Sequence, residues 1–152
     1  MEKITDIIYF AIYLLLNPKL LIISLKGLYL PVFVQYQWLS KYEIDTIIDV
    51  GAAVGNVSFT VGNLFPNAKV YVFDPIKENC EKIKKKDVSN RIAVKQVAIS
   101  NRKGEALFYK NVYSPTSSLL PLGEKYKHKF PLAQKIKVKL ATLDSCFKDT
   151  DL

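Results

Sequence analysis

The segment from residue 46 to residue 74 constrains the fold of this chain more than any other. Its first five residues, TIIDV, form a β-branched run that predicts a strand, and residues 70–73 form a second such run. Between them, residues 56–64 have the pattern of a helix, which Pro66 and Asn67 end. Parallel strands need a crossover of a dozen or more residues, and 19 residues with one helix separate the two runs. The segment therefore predicts a right-handed βαβ unit and an α/β fold.

Two acidic residues and two glycines at the ends of these strands indicate which ligand the unit could bind. Asp49 lies inside the first strand, Gly51 and Gly55 bracket the turn after it, and Asp74 follows the second strand. The pattern departs from G-x-G-x-x-G, the fingerprint of cofactors that carry a pyrophosphate. A carboxylate near the bend would repel phosphates and attract a cation, whereas Asp74 is placed to accept hydrogen bonds from a ribose diol. S-adenosylmethionine has both an adenosine end and a cationic end, so the spacing favours it as the cofactor.

Each of these features also has a plain structural explanation. Asp74 precedes Pro75, so it could be the N-cap of a helix with proline at its first position. Gly51 could be an ordinary turn glycine. A βαβ unit without an adenosyl ligand therefore stays open, and it is the spacing of all four residues together that favours the cofactor.

Composition narrows the function classes. With 152 residues, 49% of them hydrophobic, the chain can bury one core, and one domain is expected. The net charge is +8, but the lysines are scattered with few aromatic residues between them, which predicts no nucleic-acid partner. Cys80 and Cys146 lack metal-ligand spacing, which predicts a reduced, cytoplasmic protein without a bound metal. The single histidine, His128, lies in a lysine-rich loop, where a role facing solvent is expected.

Residues 1–42 form an apolar segment distinct from the domain expected over residues 43–152. An Asn-Pro-Lys sequence separates its two apolar runs, and neither run reaches the roughly 20 residues that cross a bilayer. No cleavage site of a secretory signal follows. We expect helices that pack on the domain or, alternatively, an anchor that lies on the membrane surface. Residues 35–42 predict an amphipathic helix with Trp38 and Leu39 facing inward.

Beyond the βαβ unit, the pattern continues to alternate between helix and strand. We expect a helix over 75–86, with a lysine-rich end that suits a helix C-terminus, and a third strand over 91–99. The end of that strand should lie beside the adenine, because ligands of doubly wound sheets bind outside the carboxyl ends of the strands. The candidate contacts there are Val97, Ala98 and Ser100.

The last third of the chain predicts a hairpin, a loop and a further strand. A turn over 101–104 that ends in glycine leads into a returning strand over 105–109. Residues 111–123 are rich in Ser, Thr and Pro and form either a surface loop or a flexible lid. Strict alternation over 135–140, with lysines on one face, predicts a half-buried strand that is antiparallel or lies at a sheet edge. A short helix then begins at Thr142.

Five blocks of the sequence carry a resemblance to a known family. The blocks are DVGAAVGNVSF (49–59), VYVFDPIKENCEKIKK (70–85), VAISNRKGEALFY (97–109), SSLL (117–120) and VKLATLDSCF (138–147). In this order they resemble the FkbM-type S-adenosylmethionine-dependent methyltransferases. The first block alone is shared by many methyltransferases, and the order of all five makes the resemblance specific. The resemblance implies a Rossmann-like class I methyltransferase fold over residues 46–152.

The resemblance also implies a cofactor site and an activity. The glycine turn falls on the loop that holds the methionine part of the cofactor in the family. Asp74 falls on the ribose-binding acid, which is more often Glu in the family. The cofactor-binding residues we expect are therefore Asp49, Gly51, Ala52, Gly55, Asp74 and Ala98. The implied activity is O-methylation of a hydroxyl on a small-molecule or glycan acceptor, such as a sugar, a lipid or a natural product. No residue can be nominated as the catalytic base.

The end of the sequence predicts an incomplete sheet. In the family, the block containing residues 142–144 is followed closely by a strand with an Asp-x-Glu-Gly-like motif, and this sequence ends at Leu152. We therefore expect the N-terminal half of a doubly wound sheet, with an unpaired apolar edge on its first strand. The N-terminal helices, a second chain that completes the sheet, or aggregation would cover that edge. The isolated chain should bind S-adenosylmethionine weakly and transfer no methyl group. The alternative function is a non-catalytic module that docks on a membrane or a partner chain through its apolar N-terminus.

Overall fold

The computed structural model of the protein describes residues 28–88 and 90–148, together with residues 12, 15, 16 and 18. The described elements are, in chain order, α1 (Leu30–Tyr36), a 3-10 helix (Gln37–Lys41), β1 (Thr46–Val50), α2 (Asn56–Leu64), β2 (Lys69–Phe73), α3 (Lys77–Lys86), β3 (Ile92–Lys95), β4 (Ala98–Ile99), β5 (Gly104–Asn111), a 3-10 helix (Ser114–Thr116), α4 (Glu124–Lys127), β6 (Leu132–Ala141) and α5 (Leu143–Phe147). They form two three-stranded sheets, so the protein has a mixed α/β fold. Within the described residues, no helix has the length and apolar character needed to cross a membrane.

Most of the apolar segment predicted over residues 1–42 falls outside the described residues. The expectation that its first two runs pack on the domain or anchor it to a membrane therefore stays a prediction. The described part of the segment begins at residue 28 and includes helix α1 and the 3-10 helix that follows it.

The first sheet is parallel, with the order β1, β2, β3, and helices α2 and α3 connect its strands. Strand β1 and helix α2 have the bounds that the sequence predicts. Strand β2 begins one residue earlier than predicted, at Lys69. Helix α3 begins at Lys77 and not at Pro75, because Ile76 keeps an extended backbone as the N-cap. The predicted β1–α2–β2 unit is therefore present.

A small apolar core lies between this sheet and its helices. Val70 and Val72 of β2 are buried together with Ile83 of α3. Helix α1 adds a second cluster, in which Val32 packs near Phe65 at the end of α2. Full burial of a side chain of this size contributes about 1.5–3 kcal/mol. These contacts hold the carboxyl ends of the strands in a fixed position.

The amphipathic helix predicted over 35–42 is only partly correct. Helix α1 ends early, and the tighter 3-10 helix follows it. Leu39 packs against the cluster of α1 and α2, as predicted. Trp38 is 55% exposed, so the prediction that it faces inward is wrong. Its ring packs edge to face with the Tyr42 ring, with the two ring centres 6.1 Å apart. The 3-10 helix has 3.0 residues per turn in place of 3.6, so the face expected for an α-helix is not preserved.

The strand predicted over 91–99 is divided between the two sheets. Strand β3 pairs with β2 as far as Lys95, where the chain turns and the Val97 N–H donates to the Lys95 carbonyl (3.1 Å). Strand β4 pairs with β6 in the second sheet. Its first residue, Ala98, is buried against Ile76 and the apolar face of that sheet. An almost continuous apolar run gives no signal of such a switch, because both parts can be buried.

The second sheet is mixed, with the order β4, β6, β5. Strand β6 is antiparallel to β5, as predicted, and its alternation buries Val138 and Leu140 while Lys135, Lys137 and Lys139 are exposed. Of the two alternatives that the sequence offers, the antiparallel strand is the one observed; β6 does not lie at an edge, because it is in the centre of the sheet and also pairs with β4. The predicted hairpin is wrong for the same reason. Strand β5 pairs with β6 along its whole length, whereas β4 is only two residues long and is not the partner of β5.

Strand β1 forms one edge of the first sheet. Within the described residues it pairs with β2 on one side and with no strand on the other. Its Ile48 and Val50 side chains are 41% and 50% exposed. The described part of the chain therefore has the open, apolar strand edge that the sequence predicts.

Candidate functional site

A cleft of about 780 Å³ opens where the carboxyl ends of β1 and β2 meet the second sheet. Ligands of parallel α/β sheets bind at this position, and small-molecule sites have volumes of about 300–1,000 Å³. The first sheet contributes one wall, which includes Gly51, Ala53 and Asp74. The opposite wall comes from β4 and from residues 111–123, which we call the strap. The cleft can therefore hold a ligand the size of a nucleoside cofactor.

The turn after β1 alternates left-handed residues. Gly51, Ala53 and Gly55 have φ angles of +77°, +49° and +80°. The Gly51 N–H donates to the carbonyl of Phe73 at 2.8 Å, which ties the turn to the end of β2. A Cβ on Gly51 would meet no atom within 4 Å, whereas a Cβ on Gly55 would lie 2.8 Å from the Phe59 ring. Close packing against Phe59 therefore requires a residue without a side chain at position 55, whereas the missing side chain of Gly51 leaves open space beside the cleft.

Asp74 connects this turn to the start of α3. Its Oδ2 accepts a hydrogen bond from the Ala53 N–H at 2.8 Å. Its Oδ1 accepts from the Ile76 N–H at 2.9 Å and from Asn79 Nδ2 at 3.0 Å. The N-cap of α3 is Ile76, so Asp74 is not the N-cap that the sequence offered as an alternative. The carboxylate instead holds the left-handed turn in place.

The environment of Asp74 limits what more it can bind. The residue is 4% exposed, and burial is the main cause that raises the pKa of its carboxyl group above the ordinary value. The three hydrogen bonds lower the pKa and so oppose this effect, while the charge of Asp49 adds to it. An ionised carboxylate offers about four acceptor positions, and three of them are in use. One position therefore remains for a donor from a ligand, such as a ribose hydroxyl.

Asp49 occupies a different position from Asp74. Its Oδ2 accepts a hydrogen bond from the hydroxyl of Ser58 at 2.5 Å, and Ser58 is fully buried on α2. The Asp49 side chain is half-buried and is not part of the cleft lining. The alternation of a strand places it on the side of Ile47, which packs towards α2. Asp49 therefore acts on the cleft as a nearby charge and does not line its wall.

The structure separates the predicted site residues into two groups. Gly51, Asp74 and Ala98 line the cleft, whereas Asp49, Ala52 and Gly55 do not. Ala52 is buried in the core beneath the turn, and Gly55 is buried against the Phe59 side chain. Of the other two candidates at the end of the predicted third strand, Val97 lines the cleft and Ser100 does not.

One polar residue of the cleft is absent from the sequence-based prediction. Asn79 is 4% exposed on α3, and its Nδ2 donates both to Asp74 Oδ1 and to the hydroxyl of Ser114 in the strap (3.1 Å). The signal for it is an amide on the apolar face of α3, at helical spacing from Ile76 and Ile83. A buried amide in such a place needs partners, which predicts a polar group opposite.

The strap is fixed to β5 by several hydrogen bonds. Tyr109 and Ser118 exchange two backbone hydrogen bonds, of 2.8 and 3.1 Å. The side-chain amide of Asn111 donates to the Thr116 carbonyl at 2.7 Å, and its backbone N–H donates to the Ser117 hydroxyl at 3.0 Å. These bonds favour the surface loop over the lid, the two possibilities that the sequence left open.

The Cys80 thiol does not add a nucleophile to the cleft. Cys80 is buried below the cleft, and burial raises the pKa of its thiol to about 11, so the thiol stays protonated and unreactive at neutral pH. Among the described residues, no group of three or more His, Cys, Asp and Glu side chains could hold a metal ion. The chemistry of the cleft therefore depends on the left-handed turn, Asp74, Asn79 and the hydroxyls of the strap.

Comparisons with known proteins add no family to this description. No family model matches the chain, and no curated protein matches it. The resemblance to FkbM-type methyltransferases therefore depends on the sequence blocks alone, and we carry it forward as a proposal.

Proposed function

We propose that the chain is an S-adenosylmethionine-dependent methyltransferase that binds its cofactor in the cleft. The observation that carries the proposal is Asp74, a buried carboxylate held against a left-handed turn at the carboxyl ends of two parallel strands. In parallel α/β folds an acid at this position binds the ribose of a nucleoside cofactor. The free acceptor position of Asp74 and the open space at Gly51 leave room for that contact.

The residues present fit the two ends of this cofactor. Asp49 places a second carboxylate near the turn, which favours a ligand with a sulfonium and an ammonium group over a pyrophosphate. By the resemblance, the turn with Gly51, Ala52 and Gly55 would hold the methionine part. Ala98, the first residue of β4, would lie near the adenine in the apolar part of the cleft.

We propose O-methylation as the reaction, with a hydroxyl of a sugar, lipid or natural-product acceptor as the substrate. The cofactor would supply the methyl group: the acceptor oxygen would bond to the methyl carbon as the carbon–sulfur bond breaks, and S-adenosylhomocysteine would leave as a neutral thioether. Such a transfer depends mainly on the alignment of donor and acceptor, assisted by removal of the hydroxyl proton. The strap contributes the Ser114, Ser117 and Ser118 hydroxyls to the cleft wall, where they can orient a polar acceptor.

Calorimetric titration of the purified chain with S-adenosylmethionine tests the proposal. We expect saturable binding that Asp74→Asn weakens roughly 10- to 150-fold, because a hydrogen bond to a charged group contributes about 1.5–3 kcal/mol. Asp144→Asn is the matched control, since Asp144 is an exposed acid outside the cleft. If the titration of the wild-type chain shows no saturable heat of binding, S-adenosylmethionine is ruled out as the cofactor, and the alternative of a non-catalytic module is favoured.

We also propose a location in the cytoplasm at the membrane surface, and a second chain as partner at the edge of β1. The open edge, with its exposed Ile48 and Val50 side chains, supports the second chain. The apolar sequence of residues 1–42, which predicts an anchor on the membrane surface as one alternative, supports the contact with a membrane.

A further inference from the structure

The net positive charge of the protein belongs mainly to its second half. Residues 28–95, which contain the first sheet, have nine cationic and seven anionic side chains, a net charge of +2. Residues 96–148, which contain the second sheet, have ten cationic and three anionic side chains, a net charge of +7. The half that contains the second sheet therefore has a large positive charge that few acidic side chains neutralise.

Part of this charge surrounds a hollow of about 470 Å³ on the second sheet. Its walls are apolar and aromatic and include Tyr109, Phe130 and Leu132, and Lys127 and Lys135 line it as well. The Lys135 ammonium lies 5.6 Å from the centre of the Tyr109 ring. Lys129 lies 5.5 Å from the centre of the Phe130 ring. We call this region the lysine-rimmed hollow.

The lysines of the hollow have few partners within the protein. Lys127 forms an ion pair with Glu124, which is exposed. Lys129 and Lys135 form no ion pair with any residue in the ranges 28–88 and 90–148. Their charges are therefore available to an anionic partner.

Large apolar side chains are exposed in the same part of the chain. Tyr113 stacks on Phe130 with ring centres 5.8 Å apart, which places it beside the hollow. The side chains of the group are 46–74% exposed. Its members are Val112, Tyr113, Leu120, Tyr126 and Leu132. Exposed aliphatic and tyrosine side chains among unpaired lysines are typical of proteins that lie in the interface of a bilayer.

We infer that the lysine-rimmed hollow and the exposed apolar side chains beside it dock on an anionic lipid bilayer. Lysines near such a surface gain electrostatic attraction, and the aliphatic side chains can bury themselves at the boundary of the acyl chains. A nucleic acid would gain little from Val112, Leu120 and Leu132, because bases stack on aromatic rings and not on aliphatic side chains. The inference rests on the membrane contact proposed above and names the surface that would make it, but it does not depend on cofactor binding.

The position of the strap gives this docking a consequence for the substrate. Residues 117–120 of the strap line the cleft, and residues 121–122 line the hollow. A bilayer at the hollow would therefore lie next to the wall of the cleft. A hydroxyl acceptor attached to a lipid would enter the cleft from that side.

Co-sedimentation of the full chain with vesicles tests the inference. We compare vesicles of phosphatidylcholine with vesicles in which about a third of the lipid is phosphatidylserine. Binding should be at least tenfold tighter to the anionic vesicles and should fall as the salt concentration rises. Lys129→Gln/Lys135→Gln should weaken it about 25-fold, since each lysine near an anionic bilayer contributes about fivefold in affinity. Leu132→Ser should also weaken it, with the salt dependence unchanged.

The matched control is Lys82→Gln/Lys85→Gln, which removes the same charge from exposed positions on α3. We expect this pair to keep vesicle affinity within about twofold, and thermal unfolding of every variant verifies that it is folded. Equal affinity for both kinds of vesicle, or an equal loss in the control pair, would overturn the inference. Tighter binding to single-stranded RNA than to anionic vesicles would overturn it too, and would assign the hollow to nucleic acid. Cofactor is absent from these measurements, so their failure is distinct from a failure of cofactor binding.

Discussion

The two halves of the protein form opposite walls of one cleft but are built differently. The first-sheet half, residues 28–95, carries a net charge of only +2 and presents buried polar groups whose hydrogen bonds are largely used within the protein. The second-sheet half, residues 96–148, carries a net charge of +7 and presents serine hydroxyls to the cleft and lysines to the outside. Asn79 and Ser114 connect the two walls directly.

The difference shows how the two walls can divide the work of recognition. Buried groups with satisfied hydrogen bonds fix a shape, because any change leaves a partner unsatisfied in a dry environment. Exposed lysines fix no shape, but their field attracts anions over about a Debye length. The first wall would therefore determine where a cofactor lies, and the second which surface the protein approaches. Substitutions should then destabilise the first wall far more than the second.

Gly55→Ala should have the largest effect. An added Cβ would approach the Phe59 ring to 2.8 Å and Cγ1 of the buried Ile83 to 3.0 Å, at a φ of +80°. Left-handed backbone costs a residue with a side chain about 1–2 kcal/mol, and overpacking adds about 1–3 kcal/mol. We expect the free energy of unfolding to fall by about 2–4 kcal/mol in urea denaturation.

Gly51→Ala is the matched control for this substitution. The φ of Gly51 is similar, at +77°, but the added Cβ would meet no atom within 4 Å. The loss should therefore be limited to the backbone term of about 1–2 kcal/mol. Equal losses in the two variants would show that packing at Gly55 adds nothing to the rigidity of this wall.

Asp74→Ala should have the next largest effect. It leaves the Ala53 and Ile76 N–H groups and the amide of Asn79 without their acceptor. Each unsatisfied buried donor costs about 1–3 kcal/mol, and partial relaxation should limit the total loss to about 2–3 kcal/mol. Cofactor affinity should fall together with the urea midpoint. A full loss of affinity at unchanged stability would show that Asp74 serves the ligand alone.

The pH dependence of stability provides a second test of Asp74. Burial raises the pKa of its carboxyl group above the ordinary 3.8, so protonation favours the folded state. Its contribution to stability is fully present below pH 3.8 and is lost as the pH rises through the folded pKa. The stability of the wild type relative to Asp74→Asn should therefore be greatest at low pH and decrease upwards. A difference that does not change with pH would mean that Asp74 has the same pKa in both states.

Asn79→Ala should have a smaller effect that reaches both walls. The amide donates to Asp74 and Ser114, and its loss should lower the free energy of unfolding by about 1–2 kcal/mol. Hydrogen exchange should increase in the strap. Asn63→Ala is the control, since that exposed amide bonds only the carbonyl of Phe59 on its own helix. Unchanged exchange in the strap would show that its bonds to β5 are sufficient.

The first half of the protein was predictable because its signals are local. A β-branched run, a turn with Gly51 and Gly55 and a helix ended by proline each follow from a few adjacent residues. Strand β1 and helix α2 accordingly have their predicted bounds. The position of Asp74 at the end of β2 was predicted as well, but the three hydrogen bonds that occupy it depend on tertiary contacts.

The second half was harder to predict because its pairing is not local. The division of the predicted third strand after Lys95 depends on β6, which comes about forty residues later. The inward prediction for Trp38 failed because a 3-10 helix replaced an α-helix. Asn79 was missed although an amide on an apolar helix face is a readable signal. Asp49, which the sequence predicts as a cofactor contact, accepts a hydrogen bond from Ser58, and this contact could not be predicted because it needs the position of α2.

The smallest expected effect on stability concerns the edge of β1. Ile48 is 41% exposed and lies on β1, which among the described residues pairs with a strand on one side only, so Ile48→Lys should change the free energy of unfolding by less than about 0.5 kcal/mol. A lysine on an edge strand opposes pairing with another chain. If a second chain pairs at this edge, the wild type should associate as its concentration rises, and the variant should stay monomeric in sedimentation equilibrium. Val88→Lys, at a 91% exposed position beyond α3, should leave the association unchanged. A wild type that stays monomeric at every concentration would mean that no second copy covers the edge. The two halves would then differ only in the walls that they give to the cleft and in the lysine-rimmed hollow, and not in their contacts with another chain.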